Sequence, residues 1–188
     1  MSDTRKFVIF DLDGTLIDSY ECVLCCVNKT LDFFNLAMIK SIPQSEKHRD
    51  IEEIFDKTRE IIENHITYDS FKSVFDYVHY NNDFETIHIN KQVYEYLLKY
   101  ISTDYKIVIL TNKFQKTAHR IIQKLFPNID IEVIGRTSVH SLKSDVKLVK
   151  SRLSNLNLRL DECVCYYGDS IDDENLSHEL GVTYIKTL

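Results

Sequence analysis

The stretch Lys6-Phe7-Val8-Ile9-Phe10-Asp11-Leu12-Asp13-Gly14-Thr15 sets an apolar run directly against two carboxylates and a glycine. The run has no polar alternation, as expected of a strand buried on both faces of a parallel sheet. Four more runs of the same kind lie at 106–110, 131–134, 162–167 and 182–185. The chain has only four glycines, Gly14, Gly135, Gly168 and Gly181, where average usage near 7% would give roughly 13. Each of them adjoins one of these runs, where backbone geometry is most demanding.

Helical periodicity separates the runs. Val93, Tyr96, Leu97 and Tyr100 form one stripe over 89–100; Ile121, Ile122 and Leu125 form another over 116–126; Val146, Val149, Leu153 and Leu156 a third over 145–156. Strand and helix in alternation predict an α/β fold, a doubly wound five-stranded parallel sheet. One connection is too long for a crossover: roughly 75 residues separate the first strand from the helix before the second. Helical patterns at 22–34, 49–65 and 68–80, with Pro43 as a break, make it an inserted α-helical unit. The expected division is a catalytic core of 1–17 and 90–188, with a helical cap at 18–89.

Composition narrows the function classes. Of 188 residues, 44% are apolar and 28% charged, the balance of a globular domain. Net charge is 23 − 29 = −6, and the basic residues are scattered, so neither nucleic acid nor an anionic membrane is an expected partner. No apolar run approaches the ~20 residues of a membrane span. The segment 7–10 is stopped by Asp11 and Asp13, unlike a signal-peptide core, and the expected location is cytoplasmic.

Five cysteines are an odd number, and Cys163 and Cys165 sit in a strand-like run, which argues against a disulfide framework. Cys22, Cys25 and Cys26 share one helix face. No histidine stands beside either group at a ligand spacing, so both read as buried reduced thiols rather than a zinc site.

In open α/β sheets ligands bind beyond the carboxyl ends of the strands. Strand one ends in Asp11-Leu12-Asp13-Gly14-Thr15, strand two in Thr111-Asn112, and strand four in Gly168-Asp169-Ser170-Ile171-Asp172-Asp173, while Lys143 precedes a helix start. On these four motifs, in this order, the chain resembles the haloacid dehalogenase-like hydrolase superfamily across residues 7–186. The insertion and the opening Asp13-Gly14-Thr15-Leu16-Ile17-Asp18-Ser19 are similar to its phosphoglycolate-phosphatase-like branch.

The resemblance implies roles. Asp11 is the nucleophile that takes the phosphoryl group, and Asp13 the acid and base for leaving group and water. Thr111, through its hydroxyl, and Asn112, through its backbone N–H, bind phosphoryl oxygens. Lys143 neutralises the phosphoenzyme; Lys147 and Lys150 are farther from the strand ends. Mg²⁺ is the implied cofactor, held by Asp11, the Asp13 carbonyl and Asp169, while an acidic residue on the following helix, with family spacing favouring Asp173 over Asp172, holds a metal-bound water or orients Lys143. Two departures stand out: Ser144 occupies a position usually proline, and the chain ends at Leu188 without the helix that commonly follows, leaving that side of the sheet less covered or covered by a partner.

The expected activity is Mg²⁺-dependent hydrolysis of a small phosphorylated metabolite, a phosphoric monoester. A phosphomutase of the same architecture and a non-catalytic phospho-ligand-binding protein are the alternatives. Oligomeric state and substrate are not set by the sequence. His79, Asn81, Asn82 and Arg49 are the polar cap residues that could face the site, and Phe71, Phe75 and Val78 read as cap core.

Overall fold

Four consecutive residues without solvent exposure, Phe7–Phe10, form the central strand β1. Residues 5–42, 54–56, 58, 66–138 and 140–187 are described in a computed structural model. The chain divides into two compact units, Met1–Asp18 with Ile89–Leu188, and Ser19–His88.

The first unit is built on a five-stranded parallel sheet. Its strands are β1, β4 (Lys106–Phe114), β5 (Ile131–Arg136), β6 (Cys163–Gly168) and β7 (Tyr184–Lys186), in the order β5-β4-β1-β6-β7. Every pairing is parallel, with β1 flanked by β4 and β6. This is the α/β sheet expected from the unalternated runs. Two short strands, β2 (Ile17–Asp18) and β3 (His88–Ile89), form a separate two-stranded sheet.

The pleat sends alternate side chains of β1 to opposite faces. Phe7 and Ile9 join Val108, Leu110, Ile134 and Tyr166 in a core with Val149 and Leu153 of helix α5 (Val146–Asn155) and Leu176 and Leu180 of α6 (Ile171–Leu180). On the other face Phe10 stacks on Tyr167 at 4.7 Å, and Tyr167 meets Tyr96 and Tyr100 of α3 (Lys91–Ser102). Tyr96 remains 40% exposed, so the apolar stripe of α3 narrows to Val93 and Leu97 with an aromatic margin. Helix α4 (Gln115–Leu125) buries Ala118, Ile121 and Ile122, and Phe126 beyond its end meets Tyr94.

The second unit contains α1 (Tyr20–Phe33) and α2 (Tyr68–Tyr80). Cys22, Cys26, Val27, Thr30 and Leu31 line the buried side of α1, whereas Cys25 faces solvent, which corrects the expectation that all three cysteines share a buried face. Phe71 and Phe75 are core residues of α2, and Phe55 meets Phe71 and Tyr68 edge-on or tilted. Tyr20 and Asn28 tie the chain after α1 back onto it: the Tyr20 hydroxyl accepts from the Ile42 N–H at 2.9 Å, and the Asn28 side chain bonds both main-chain groups of Ile39. The expected helix at 49–65 lies outside the described residues except for 54–56 and 58, and so do Pro43 and Arg49.

Candidate active site

Strand β1 delivers Asp11 to the carboxyl edge of the sheet, where its N–H donates to the Tyr167 carbonyl at 2.8 Å. The chain then turns back at once. Gly14 adopts φ 81°, the left-handed region that a side chain disfavours, and its N–H donates to the Ile17 carbonyl while the N–H groups of Leu16 and Ile17 converge on the Leu12 carbonyl. The carboxylate of Asp13, on this turn, meets Lys113 Nζ at 3.1 Å.

Strand β4 carries Thr111 and Asn112 in its carboxyl-terminal half. Thr111 is buried, and its hydroxyl accepts from the Lys113 N–H. Asn112 Oδ1 accepts from the N–H groups of Leu142 and Lys143, at 2.9 and 3.0 Å, and from the Ser141 hydroxyl. One amide therefore fixes the loop that carries Lys143 to the strand end. From that loop Lys143 Nζ reaches Asp11 Oδ1 at 2.6 Å and Asp173 Oδ1 at 2.7 Å.

Strand β6 ends at Gly168. An added Cβ there would lie 2.4 Å from Asp173 Cβ, so the close approach of α6 to the strand requires glycine. Ser170 caps α6 by accepting from the Asp173 N–H, while Asp173 Oδ2 accepts from the Ser170 N–H and hydroxyl, a capping box. Asp173 Oδ1 also accepts from the Tyr166 hydroxyl at 2.6 Å. With no exposure and four donors around it, this carboxylate is locked. Thr15 donates to Asp169 at 3.4 Å from the turn after β1.

The electrostatics follow from burial. Asp11 is 4% exposed, and desolvation, reinforced by the charges of Asp173 and Asp169, raises its pKa well above the ordinary carboxylate value against the opposing pull of Lys143. Burial acts the same way on Asp173, but Lys143 and the hydrogen bonds of Lys143, Ser170 and Tyr166 outweigh it and hold the carboxyl below its usual range. For Lys143, desolvation is overcome by Asp11, Tyr166 and Asp173, so the ammonium stays protonated.

Of the residues expected at the site, the structure brings Asp11, Lys143, Asp169 and Asp173 together. Oxygens of the three aspartates lie within 4.8 Å of one another. Asp172 is exposed, as are Lys147 and Lys150. Asn112 uses its side chain on the Lys143 loop, a role the expectation of a backbone N–H donor did not contain. Asp13 stands on the turn after β1 and Thr111 within β4, with side chains turned to Lys113 and to its N–H. Three participants were missed. Tyr166 carried a signal, a hydroxyl inside an otherwise apolar strand that needs a buried partner. Ser170 carried one too, three residues before Asp173 at capping-box spacing, which also separates Asp173 from Asp172. Lys113 carried none, because its partner is distant in sequence. In the second unit, His79 is buried beside Cys22 and Cys26 and between the rings of Phe75 and Phe84, and Asn82 is buried with it. The expectation that these side chains face a substrate is replaced by a place in that unit's own core.

Three carboxylates against one lysine leave the cluster negative, and hard carboxylate oxygens at this spacing suit a small divalent cation such as Mg²⁺. A buried cluster of carboxylates around one lysine at the carboxyl edge of a parallel sheet marks the candidate active site. The chain belongs to the haloacid dehalogenase-like hydrolases, whose family model matches residues 8–187. None of the curated proteins compared with the chain matches it.

Solved structures agree on the fold. One named for a haloacid dehalogenase-like hydrolase, from Bacteroides fragilis, is 19% identical with a TM-score of 0.76, covering 97% of this chain and 87% of that chain. One named as a predicted phosphoglycolate phosphatase, from Haemophilus somnus, is 20% identical with a TM-score of 0.72, covering 99% and 86%. CbbY from Rhodobacter sphaeroides, in complex with phosphate, is 12% identical with a TM-score of 0.71, covering 97% and 86%. At these identities the likeness is one of fold. No helix among the described residues is long and apolar enough to cross a membrane.

Proposed function

We propose that the chain is a cation-dependent phosphatase that cleaves a small phosphate monoester by passing the phosphoryl group through Asp11. The observation that carries this reading is the environment of Asp11, a buried carboxylate held at 2.6 Å by Lys143 with two further carboxylates beside it. Such burial is costly, and the Lys143 ammonium offsets the cost for only one of the three carboxylate charges.

Asp11 attacks phosphorus, the ester P–O bond breaks, and Asp13 gives a proton to the departing oxygen. Water then attacks the phosphorus of the aspartyl-phosphate, Asp13 takes its proton, and the Asp11 carboxylate is regenerated. Lys143 balances the charge gathering around the transferred group, while Thr111 and the Asn112 N–H donate to its oxygens. Asp11, the Asp13 carbonyl and Asp169 would hold Mg²⁺, with Asp173 orienting Lys143 beside them, and the ion would supply Lewis-acid polarisation of the phosphoryl oxygens. Lys113 holds the Asp13 carboxylate on its turn. The helical unit leaves the core directly after the Asp13 turn and rejoins it at β3, and we read it as a cap that selects among small substrates. Bound phosphate in the CbbY structure, and xylulose-1,5-bisphosphate in a mutant of that protein, support a phosphorylated metabolite as substrate class.

The test is an aryl phosphate assay. Phosphate release should stop when EDTA removes divalent cations and return with Mg²⁺. Full activity in EDTA would overturn the reading of the aspartate cluster.

A further inference from the structure

Helix α1 places Cys22 and Cys26 one turn apart on its buried side, and the last turn of α2 brings His79 to them. The donor atoms of the three side chains lie within 4.8 Å of one another, and all three residues are at most 2% exposed. Fifty-odd residues of chain separate the cysteines from the histidine, so the convergence is made by the fold. We propose that this cluster is a metal site of the helical unit, taking Zn²⁺ on Cys22 Sγ, Cys26 Sγ and a ring nitrogen of His79.

The donor chemistry selects the ion. Two thiols and an imidazole are a soft set that suits zinc and disfavours Mg²⁺. Binding releases one proton from each thiol, and two thiolates with a neutral imidazole cancel the charge of Zn²⁺, which lets the complex stay buried. In a tetrahedral site with Zn–S near 2.3 Å the donors stand about 3.7 Å apart, so donors within 4.8 Å of one another have at most about 1 Å to close. Asn82, 8% exposed, supplies what such a site needs around it: its Nδ2 lies 3.5 Å from Cys26 Sγ as a donor to sulfur, and its Oδ1 lies 3.7 Å from Cys22 Sγ. The fourth position falls to the Asn82 carbonyl oxygen or to water. The phenyl rings of Phe75 and Phe84, 5.2 and 6.0 Å from the imidazole, wall the site. An ion here would pin α1 to α2 and thereby stiffen this unit. The carboxylate cluster around Asp11 is hard and belongs to the other unit, so the two sites should sort ions by softness.

Cobalt reports on the site directly. The full chain, stripped of metal under reducing conditions and titrated with Co²⁺, should develop a sulfur-to-cobalt charge-transfer band and intense tetrahedral visible bands that saturate at one equivalent and vanish on adding Zn²⁺. Cys22→Ser and Cys26→Ser should each weaken the charge-transfer band and together abolish it, whereas Asp11→Asn should leave it intact. No charge-transfer band at saturating Co²⁺, or a band that survives the double substitution, would overturn the proposal. Should the cysteine variants fail to fold, X-ray absorption on the zinc-loaded wild type decides. Sulfur neighbours near ~2.3 Å support the site, and a shell of oxygen alone refutes it.

Discussion

Asp11 and Asp173 show how two identical side chains, both touching one lysine, are driven apart by their surroundings. Asp173 accepts from Tyr166 and Ser170 besides Lys143 and is held in its charged form, whereas Asp11 has Lys143 against burial and two like charges. The fixed carboxylate is bonded to the lysine at 2.7 Å, and the destabilised one is the group to which we assign the chemistry. Asp11→Asn keeps the shape and removes the proposed nucleophile. It should cut phosphate release by on the order of 10³ or more with an unchanged circular dichroism spectrum. Tyr166→Phe deletes the hydroxyl that donates to Asp173 at 2.6 Å. The buried acceptor then loses a partner, and unfolding by urea should show a loss of about 1–3 kcal/mol, with less effect on turnover than Asp11→Asn. At this scale the sequence was legible where a residue type sits at a strand end and illegible where its partner is remote. Asp11 and Lys143 were readable by position, but nothing local announces that Asn112 Oδ1 would gather the N–H groups of Leu142 and Lys143, or that His79 would meet Cys22.

Three strands of the sheet carry, at or beyond their carboxyl ends, a device that fixes a neighbouring segment. After β1 the Gly14 turn folds Asp13 back, in β4 Asn112 grips the Lys143 loop, and at the end of β6 Gly168 lets Asp173 approach. The last of these is the most exacting, because the contact is with the side chain that holds Lys143. Gly168→Ala should push Asp173 away, costing about 1–3 kcal/mol of stability in a urea titration and lowering kcat through Lys143. An alanine variant with full activity and stability would refute the close approach. The strands were visible in advance because burial on both faces demands unbroken apolar runs. Their ends were less so: β4 runs on to Phe114, past its expected end at 110, since Thr111 still pairs with Gly135 and, after an irregularity at 112–113, Phe114 pairs with Arg136. Helix α2 was readable over its full length from its own periodicity, and its N-cap Thr67 accepts from the Ser70 N–H.

For the molecule as a whole, the α/β class was legible because alternation of strands and helices admits few topologies, whereas the chemistry of the helical unit was not, because it depends on how α1 and α2 pack. The proposal that the helical unit selects substrates, together with the acidic, unpatterned charge, predicts small substrates. Across free phosphate monoesters, a phosphopeptide and a DNA 3′-phosphate, competitive kinetics should give the highest kcat/KM to a monoester, and a preference for either macromolecule would remove the cap reading. The central claim, that the phosphoryl group passes through Asp11, is tested most directly by quenching turnover of an aryl phosphate with borohydride and mapping peptides by mass spectrometry. An acyl phosphate is reduced to the alcohol, so residue 11 should appear as homoserine only when substrate is present. Rapid phosphate release with Asp11 unmodified, or with the trapped group on another aspartate, would contradict the account.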